Sequence, residues 1–259
     1  MTSFKGNLGN YKIIKTEDQT ETIWSEYFDE ACHNLSGAYQ ETIHNYILGC
    51  NIPELITQQM DFSVLDVGFG VGVGLLALLE EVKKYPCFKN KISYFSIELD
   101  EILLLWSIKT TLPFLEFTKC EKVNQNETLV FYKSNFGVVE INIFLGDGRK
   151  TLPMAYQLGL LPAFNAIFQD AFSPKKNPML WSVEWFEFLK MASSSNVELS
   201  TYSSSVSIRK SLMCAGWSIY NLRGFALKKT MTKANFKTST SEELKLELSR
   251  SPTLELRDK

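Results

Sequence analysis

Phe62 to Gly74 reads FSVLDVGFGVGVG. Six mostly apolar, partly β-branched residues run into glycines at alternate positions, Gly68, Gly70 and Gly72, and LLALLEEVKKY behind them has the length and propensity of a helix. Strand, glycine turn and helix in this order form the opening unit of an α/β sheet. Glycine lets the backbone turn sharply and come close to a ligand with no Cβ in the way. The turn lacks the G-x-x-x-x-G-K-[ST] pattern, so a loop that cradles a nucleoside triphosphate is not supported.

The same alternation continues down the chain. ISYFSI (Ile92 to Ile97) reads as a strand ending at Glu98, and EILLLWSIKTTL as the helix after it. TLVFYK and VVEINIFLGD flank the turn SNFG as a hairpin whose second run ends at Asp147. A helix near Lys150 to Leu158 leads to FNAIFQ, a buried strand ending at Asp170. WSVEWFEFLKMA, VELSTYS, SVSIRKSLMCAG and WSIYNL then continue as helix, strand, helix and strand. The predicted fold class is α/β and Rossmann-like: a mainly parallel sheet with helices on both faces, joined by right-handed crossovers.

Ligands of such sheets bind beyond the carboxyl ends of the strands, near the point where strand order reverses. That directs attention to Asp66 and the glycines, to Glu98, to Asp147 and to Asp170. Glu98 follows Gly70 by 28 residues, at the strand end where an acid commonly accepts both ribose hydroxyls of an adenosine; the usual interval is about 20, and KKYPCFKN is a surface extension that absorbs the excess. Asp147 is placed to accept from an adenine amino group. Each acid alone is equally well a helix N-cap. Three of them on one sheet edge favour a nucleotide site, with an NAD enzyme still open at this point.

Composition bounds the rest. With 45% hydrophobic and 22% charged residues the chain has the balance of a folded globular protein. A formal net charge of -2 excludes a generally basic nucleic-acid coat. Charge is uneven, however: Leu199 to Ser241 contains no acid but holds Arg209, Lys210, Arg223, Lys228, Lys229, Lys233 and Lys237, a pattern of either solvated lysines or a phosphate-facing patch. Five scattered cysteines without a C-x-x-C pair read as reduced thiols. His33 and His44 lack a suitable third ligand, so no metal is expected. Neither a secretory signal nor an apolar stretch of about 18 residues is evident, which makes the cytoplasm the expected location and a membrane association unexpected.

SEYFDEACHNLSGAYQETIHNYI, LDVGFGVGVGLL, FSIELDEILL, IFLGDGRKTL, FQDAFSPKKNPMLWS, STYSSSVSIRKSL and GFALKKTMT, in this order and spacing, resemble the S-adenosylmethionine-dependent methyltransferases of the tRNA 5-methylaminomethyl-2-thiouridine pathway. The resemblance spans roughly Thr16 to Thr232. It is to the stand-alone form, or to the amino-terminal half of the bifunctional enzyme. It implies S-adenosylmethionine as cofactor, tRNA as partner, and as acceptor the amine on a side chain of the wobble uridine. Cofactor contacts are then expected from Asp66, Gly68, Gly70, Gly72, Glu98 and Asp147. The resemblance adds Glu41, from an early segment that helps to close the cofactor site. Cys32, Gly74 and Ala171 stand where tyrosine, asparagine and glycine are usual in the family.

The expected organisation is an amino-terminal segment over residues 1–60 packing on the cofactor site, a methyltransferase domain over 61–232, and a loosely held polar tail over 233–259. Tyr27, Phe28, His33 and Glu41 are also compatible with a simple amphipathic helix. Asp170 is the expected catalytic residue, orienting the amine and receiving its proton. Phe172 is a wall or a stacking platform for the uracil, Lys175 and Lys176 are phosphate contacts, and Trp181 is either wall or core. Two rival functions fit parts of the pattern: a spermidine synthase-like aminopropyltransferase, and a non-catalytic RNA-binding module on a methyltransferase scaffold.

Overall fold

The computed structural model describes residues 2–124 and 127–258. The amino-terminal region is a four-stranded antiparallel sheet of β1 (Ser3–Lys5), β2 (Asn10–Lys15), β3 (Glu21–Ser25) and β4 (Glu30–Ala31) in sequential order. The amphipathic helix considered over Tyr27 to Glu41 is corrected. YKIIK and ETIWS pair as strands, Glu30–Ala31 pairs with the second of them inside that segment, and helix begins only at α1 (Ala38–Thr42). A π-helical turn, Ile43–Leu48, continues from it, and α2 (Ile52–Thr57) follows.

The remaining α-helices and β-strands are β5 (Phe62–Val67), α3 (Val73–Lys83), β6 (Ile92–Glu98), α4 (Glu101–Thr111), β7 (Thr118–Asn124), β8 (Glu127–Phe136), β9 (Val139–Leu145), α5 (Gly148–Gln157), β10 (Phe164–Gln169), α6 (Val183–Met191), β11 (Ser193–Thr201), α7 (Val206–Cys214), β12 (Ser218–Arg223), β13 (Thr230–Asn235) and α8 (Glu242–Ser249), with a 3-10 turn over Pro178–Trp181 before α6. The nine β-strands after α2 form one sheet in the order β12-β13-β11-β10-β5-β6-β9-β8-β7. The five central strands, β11 to β9 in that order, are parallel; the hairpins at both ends pair antiparallel.

Period-two alternation along the central strands supplies both cores. Leu65, Val67, Phe95 and Ile167 face one side, against α5 to α8, where Leu152, Trp185, Phe186 and Leu212 pack. Val64, Tyr94, Ala166 and Phe168 face the other side, where Tyr46, Ile56, Leu75, Leu78 and Leu104 meet them. A smaller cluster, Tyr11 and Ile23 with Val71, Val73 and Leu103, fastens the amino-terminal sheet over the glycine turn.

The carboxyl-terminal segment corrects a second expectation. The boundary at residue 232 falls inside β13, and α8 buries Leu244 and Leu248 in the first core. Beyond it the Val183 amide donates to the Leu256 carbonyl, and the Leu256 amide to Ser211 Oγ, at 2.9 Å each. The segment looks polar in sequence because only one face of α8 is buried.

Candidate active site

Strand order reverses between β5 and β10. Val67 pairs with Gln169 there, so the chain leaves both strands side by side, one into Gly68 and the other into Asp170. The approach is tight: a Cβ on Gly68, whose φ is 102°, would lie 3.3 Å from the Asp170 carbonyl oxygen. Glu98 pairs with Leu145 on the next two strands, which brings Gly146 and Asp147 to the same edge.

A cleft of about 340 Å³ opens at that edge. Gly68, Gly70, Glu98, Asp147, Asp170, Phe172 and Lys176 line it, as do the apolar Leu99, Met179 and Leu180. Glu98 is fixed in place by three backbone amides: Oε1 accepts from Leu99 at 2.8 Å and Asp100 at 2.9 Å, and Oε2 from Gly70 at 3.0 Å. Burial pushes its carboxyl up to about 7 despite those hydrogen bonds. Asp147 caps α5, accepting from the Arg149 amide at 3.0 Å, and pairs with the Arg149 guanidinium at 2.9 Å.

Two expected cofactor contacts do not line the cleft. Asp66 turns under the helix. It is buried, accepts from Tyr94 Oη at 2.5 Å, and occupies the space that a Cβ on Gly74 would need, which accounts for glycine at that position. Burial pushes the Asp66 carboxyl up to about 7. Gly72 supplies the left-handed residue (φ 78°) that starts α3 and packs toward Phe69 and Leu112.

Glu41 is the third expected cofactor contact that stands outside the cleft. It lines a neighbouring chamber, with Glu30, Tyr202, Ser173 and Lys228, and not the cleft beside Gly70. The two spaces share Cys32, His33, Asp170, Ala171 and Phe172. Asp170 therefore stands where they meet. Tyr46 Oη donates to its Oδ1 at 2.5 Å, and the Tyr46 ring, stacked 5.5 Å from Phe168, is held in the core. Burial pushes the Asp170 carboxyl well above the usual range. The Tyr46 hydrogen bond and Lys228 oppose that rise, and Asp66 and Glu41 add to it.

Phe172 stacks on Phe28, with ring centroids 4.1 Å apart. Lys176 lines the cleft rim but pairs with Asp29 at 2.9 Å; Lys175 is exposed and lines neither space. Trp181 is fully buried, so of its two readings core packing holds; its indole N–H donates to the Phe172 carbonyl at 2.8 Å. The basic patch is smaller than the sequence suggests. Arg209 is buried against Thr232 and Asn221, and Lys233 against Asn51 and Glu198. Arg223, Lys228, Lys229 and Lys237 remain exposed. Among the described residues, no group of three or more His, Cys, Asp or Glu is placed to hold a metal, and no helix is long and apolar enough to cross a membrane.

The cleft fits S-adenosylmethionine. A Cβ built on Gly70 would meet only Cys32 Sγ, at 4.0 Å, so that glycine faces open space. A carboxylate at the end of the second parallel strand and an apolar wall of Leu99, Met179 and Leu180 complete a nucleoside site. Residues 117–237 match a family model described as S-adenosyl-L-methionine-dependent methyltransferase. Fold, cleft and family match agree: the chain is similar to S-adenosyl-L-methionine-dependent methyltransferases.

The chain is similar to MnmC proteins over most of its length. It is 25% identical over 221 residues to the tRNA 5-methylaminomethyl-2-thiouridine biosynthesis bifunctional protein MnmC of Burkholderia thailandensis, covering 83% of this chain and 34% of that protein. An uncharacterized protein of Methanocaldococcus jannaschii is 27% identical over 240 residues, 90% of this chain and 62% of the relative. The chain thus spans between about a third and two thirds of the length of these relatives. The crystal structure of MnmC2 from Aquifex aeolicus has the same fold, with a TM-score of 0.77, 24% identity, and coverage of 96% of this chain and 79% of that one.

The residues that sequence reasoning did not single out are Tyr46, Tyr202 and Lys228. They come from a π-helical turn, a strand end and a hairpin tip, and share no spacing with Asp170. Each does lie within a quoted motif: Tyr46 in ETIHNYI, Tyr202 in STYSSSVSIRKSL and Lys228 in GFALKKTMT.

Proposed function

We propose that the protein methylates the nitrogen of an aminomethyl group on the wobble uridine of tRNA, giving methylaminomethyl uridine. The observation that carries this proposal is Asp170, a carboxylate common to a nucleoside-sized cleft and to a second chamber. The name of the Burkholderia relative supplies the acceptor.

Gly68, Gly70 and Glu98 would hold S-adenosylmethionine, with Asp147 at the adenosine end. When bound, this cofactor supplies an electrophilic methyl group on a sulfonium. The protein's own part is to prepare the nitrogen. An alkyl amine has a pKa near ~10.4, so it arrives as an ammonium and must lose a proton before its lone pair is available. Asp170 accepts a hydrogen bond from that ammonium and then its proton. Its raised pKa narrows the gap between donor and acceptor, which makes the transfer less unfavourable. Tyr46 holds Oδ1 and leaves Oδ2 for the amine, so a single carboxylate rotamer fixes the direction of the lone pair. The stacked Phe28 and Phe172 rings screen the junction from water. On this reading Lys175 and the exposed Arg223, Lys229 and Lys237 would meet tRNA phosphates.

Asp170→Asn tests the assignment. Calorimetry should show cofactor binding within a few-fold of the parent, while methyl transfer to tRNA falls by at least ~100-fold. Near-normal transfer would remove Asp170 from the mechanism.

A further inference from the structure

The second chamber already holds a cation, one of the protein's own. Lys228 Nζ stands 4.7 Å from the centroid of the Tyr202 ring and 3.8 Å from Glu41 Oε1. An aromatic face beside a carboxylate is the combination that binds alkylammonium ions. Glu30, Glu41 and Asp170 line the chamber, and Lys228 is the one lysine or arginine lining it among the described residues. Carboxylates outnumber cations there, so the chamber favours a positive guest.

The host groups are fixed and the guest is not. Tyr202 Oη donates to the Ala171 carbonyl at 3.0 Å, and Glu41 Oε2 accepts from the Asn34 amide at 2.9 Å. Lys228 arrives from the tip between β12 and β13, where Leu227 is 98% exposed and Ala226 takes a left-handed φ of 50°. Its pairing with Glu41 is long, and the lysine side chain keeps 42% of its surface in solvent. The pair is one-sided: the solvated lysine loses little on leaving, whereas Glu41, with 9% of its side-chain surface exposed, still needs a cation in its place.

We propose that the Tyr202 ring and the Glu41 carboxylate form the docking site for the protonated aminomethyl group of the acceptor, and that Lys228 is its internal placeholder, displaced as the acceptor enters. The proposal rests on amine methylation as the function. It adds how the acceptor is recognised: as an ammonium, the form in which nearly all of it exists near neutral pH. One ammonium replaces another, so the charge of the chamber is unchanged. Proton transfer to Asp170 follows from the docked position. Lys228, once released, is free to meet a phosphate. A placeholder also lowers apparent affinity in proportion to the time it occupies the site.

The test is calorimetric, with the nucleoside 5-aminomethyluridine as probe and 5-hydroxymethyluridine as the uncharged control; neither carries a phosphate. Lys228→Met should bind the amine about tenfold more tightly than the parent, the gain expected if the placeholder occupies the site some nine-tenths of the time. The control should be unaffected. Tyr202→Phe should keep amine affinity within a few-fold and Tyr202→Leu lose about tenfold, which separates the ring from the hydroxyl. If Lys228→Met fails to fold by thermal denaturation, Lys228→Gln takes its place. Unchanged or weaker amine binding in the Lys228 variants, or equal binding of amine and control by the parent, would overturn the docking site. Tight, Lys228-sensitive amine binding without methyl transfer to tRNA would instead overturn the methylation reading and leave the docking site standing.

Discussion

Asp170 and Tyr46 are 124 residues apart in sequence and 2.5 Å apart in space. The charged carboxylate gains from that hydrogen bond, which opposes the rise in pKa that burial causes. Removing it therefore has a definite sign. Tyr46→Phe should move the acidic limb of the kcat/KM profile to higher pH and lower kcat by roughly tenfold through loss of carboxylate orientation. An acidic limb that stays in place, or moves to lower pH, contradicts the role assigned to Tyr46. At this scale the sequence was partly legible. Asp170, Glu98, Gly68 and Gly70 follow strands whose apolar runs are plain, so their convergence could be expected from topology alone. Tyr46, Tyr202 and Lys228 could not, because each reaches the site from a different element. Asp66 was legible in position but not in role: it is the last residue but one of an apolar run as expected, yet Gly74 opens space for it beneath the helix, away from the cleft.

Among the elements, the five parallel strands were readable because burial on both faces makes them nearly continuous apolar runs. The amino-terminal strands were not, since their partial, one-sided burial leaves short segments interrupted by charged residues such as Lys12, Lys15 and Glu21. The same one-sidedness hid α8. Its Leu244 and Leu248 belong to the core that includes Trp217 and Leu212. Leu244→Ala should thus cost about 2–3 kcal/mol in chemical denaturation, the lower part of the range for buried leucine. A loss below ~0.5 kcal/mol would return α8 to the status of a loose tail.

Across the whole molecule, buried acids link folding to pH. Burial pushes Asp66 and Glu98 up to about 7 each and Asp170 well up, whereas burial holds His33 down to about 4. Between roughly pH 4.5 and 6.5 the folded chain keeps protons on Asp66 and Glu98 that the unfolded chain has lost, and lacks one that unfolded histidine has gained; the raised Asp170 adds in the same direction as the two carboxyls. Folding then takes up at least one net proton, so stability falls as pH rises through this window and on toward 7. The cofactor-free protein should have a higher Tm at pH 5.5 than at pH 8, and Asp66→Asn should raise the pH 8 value by roughly 4 °C; a Tm that climbs steadily from pH 5.5 to 8 contradicts this. Glu98 and Asp170 line the sheet edge where, on the proposed function, a positively charged cofactor and an incoming ammonium would bind. The most direct test is mass spectrometry of the nucleosides of tRNA bearing aminomethyl uridine, after incubation with the protein and S-adenosylmethionine. That uridine should gain one methyl group, and Asp170→Asn should abolish the gain; an unchanged nucleoside mass with the parent protein would contradict amine methylation as the function.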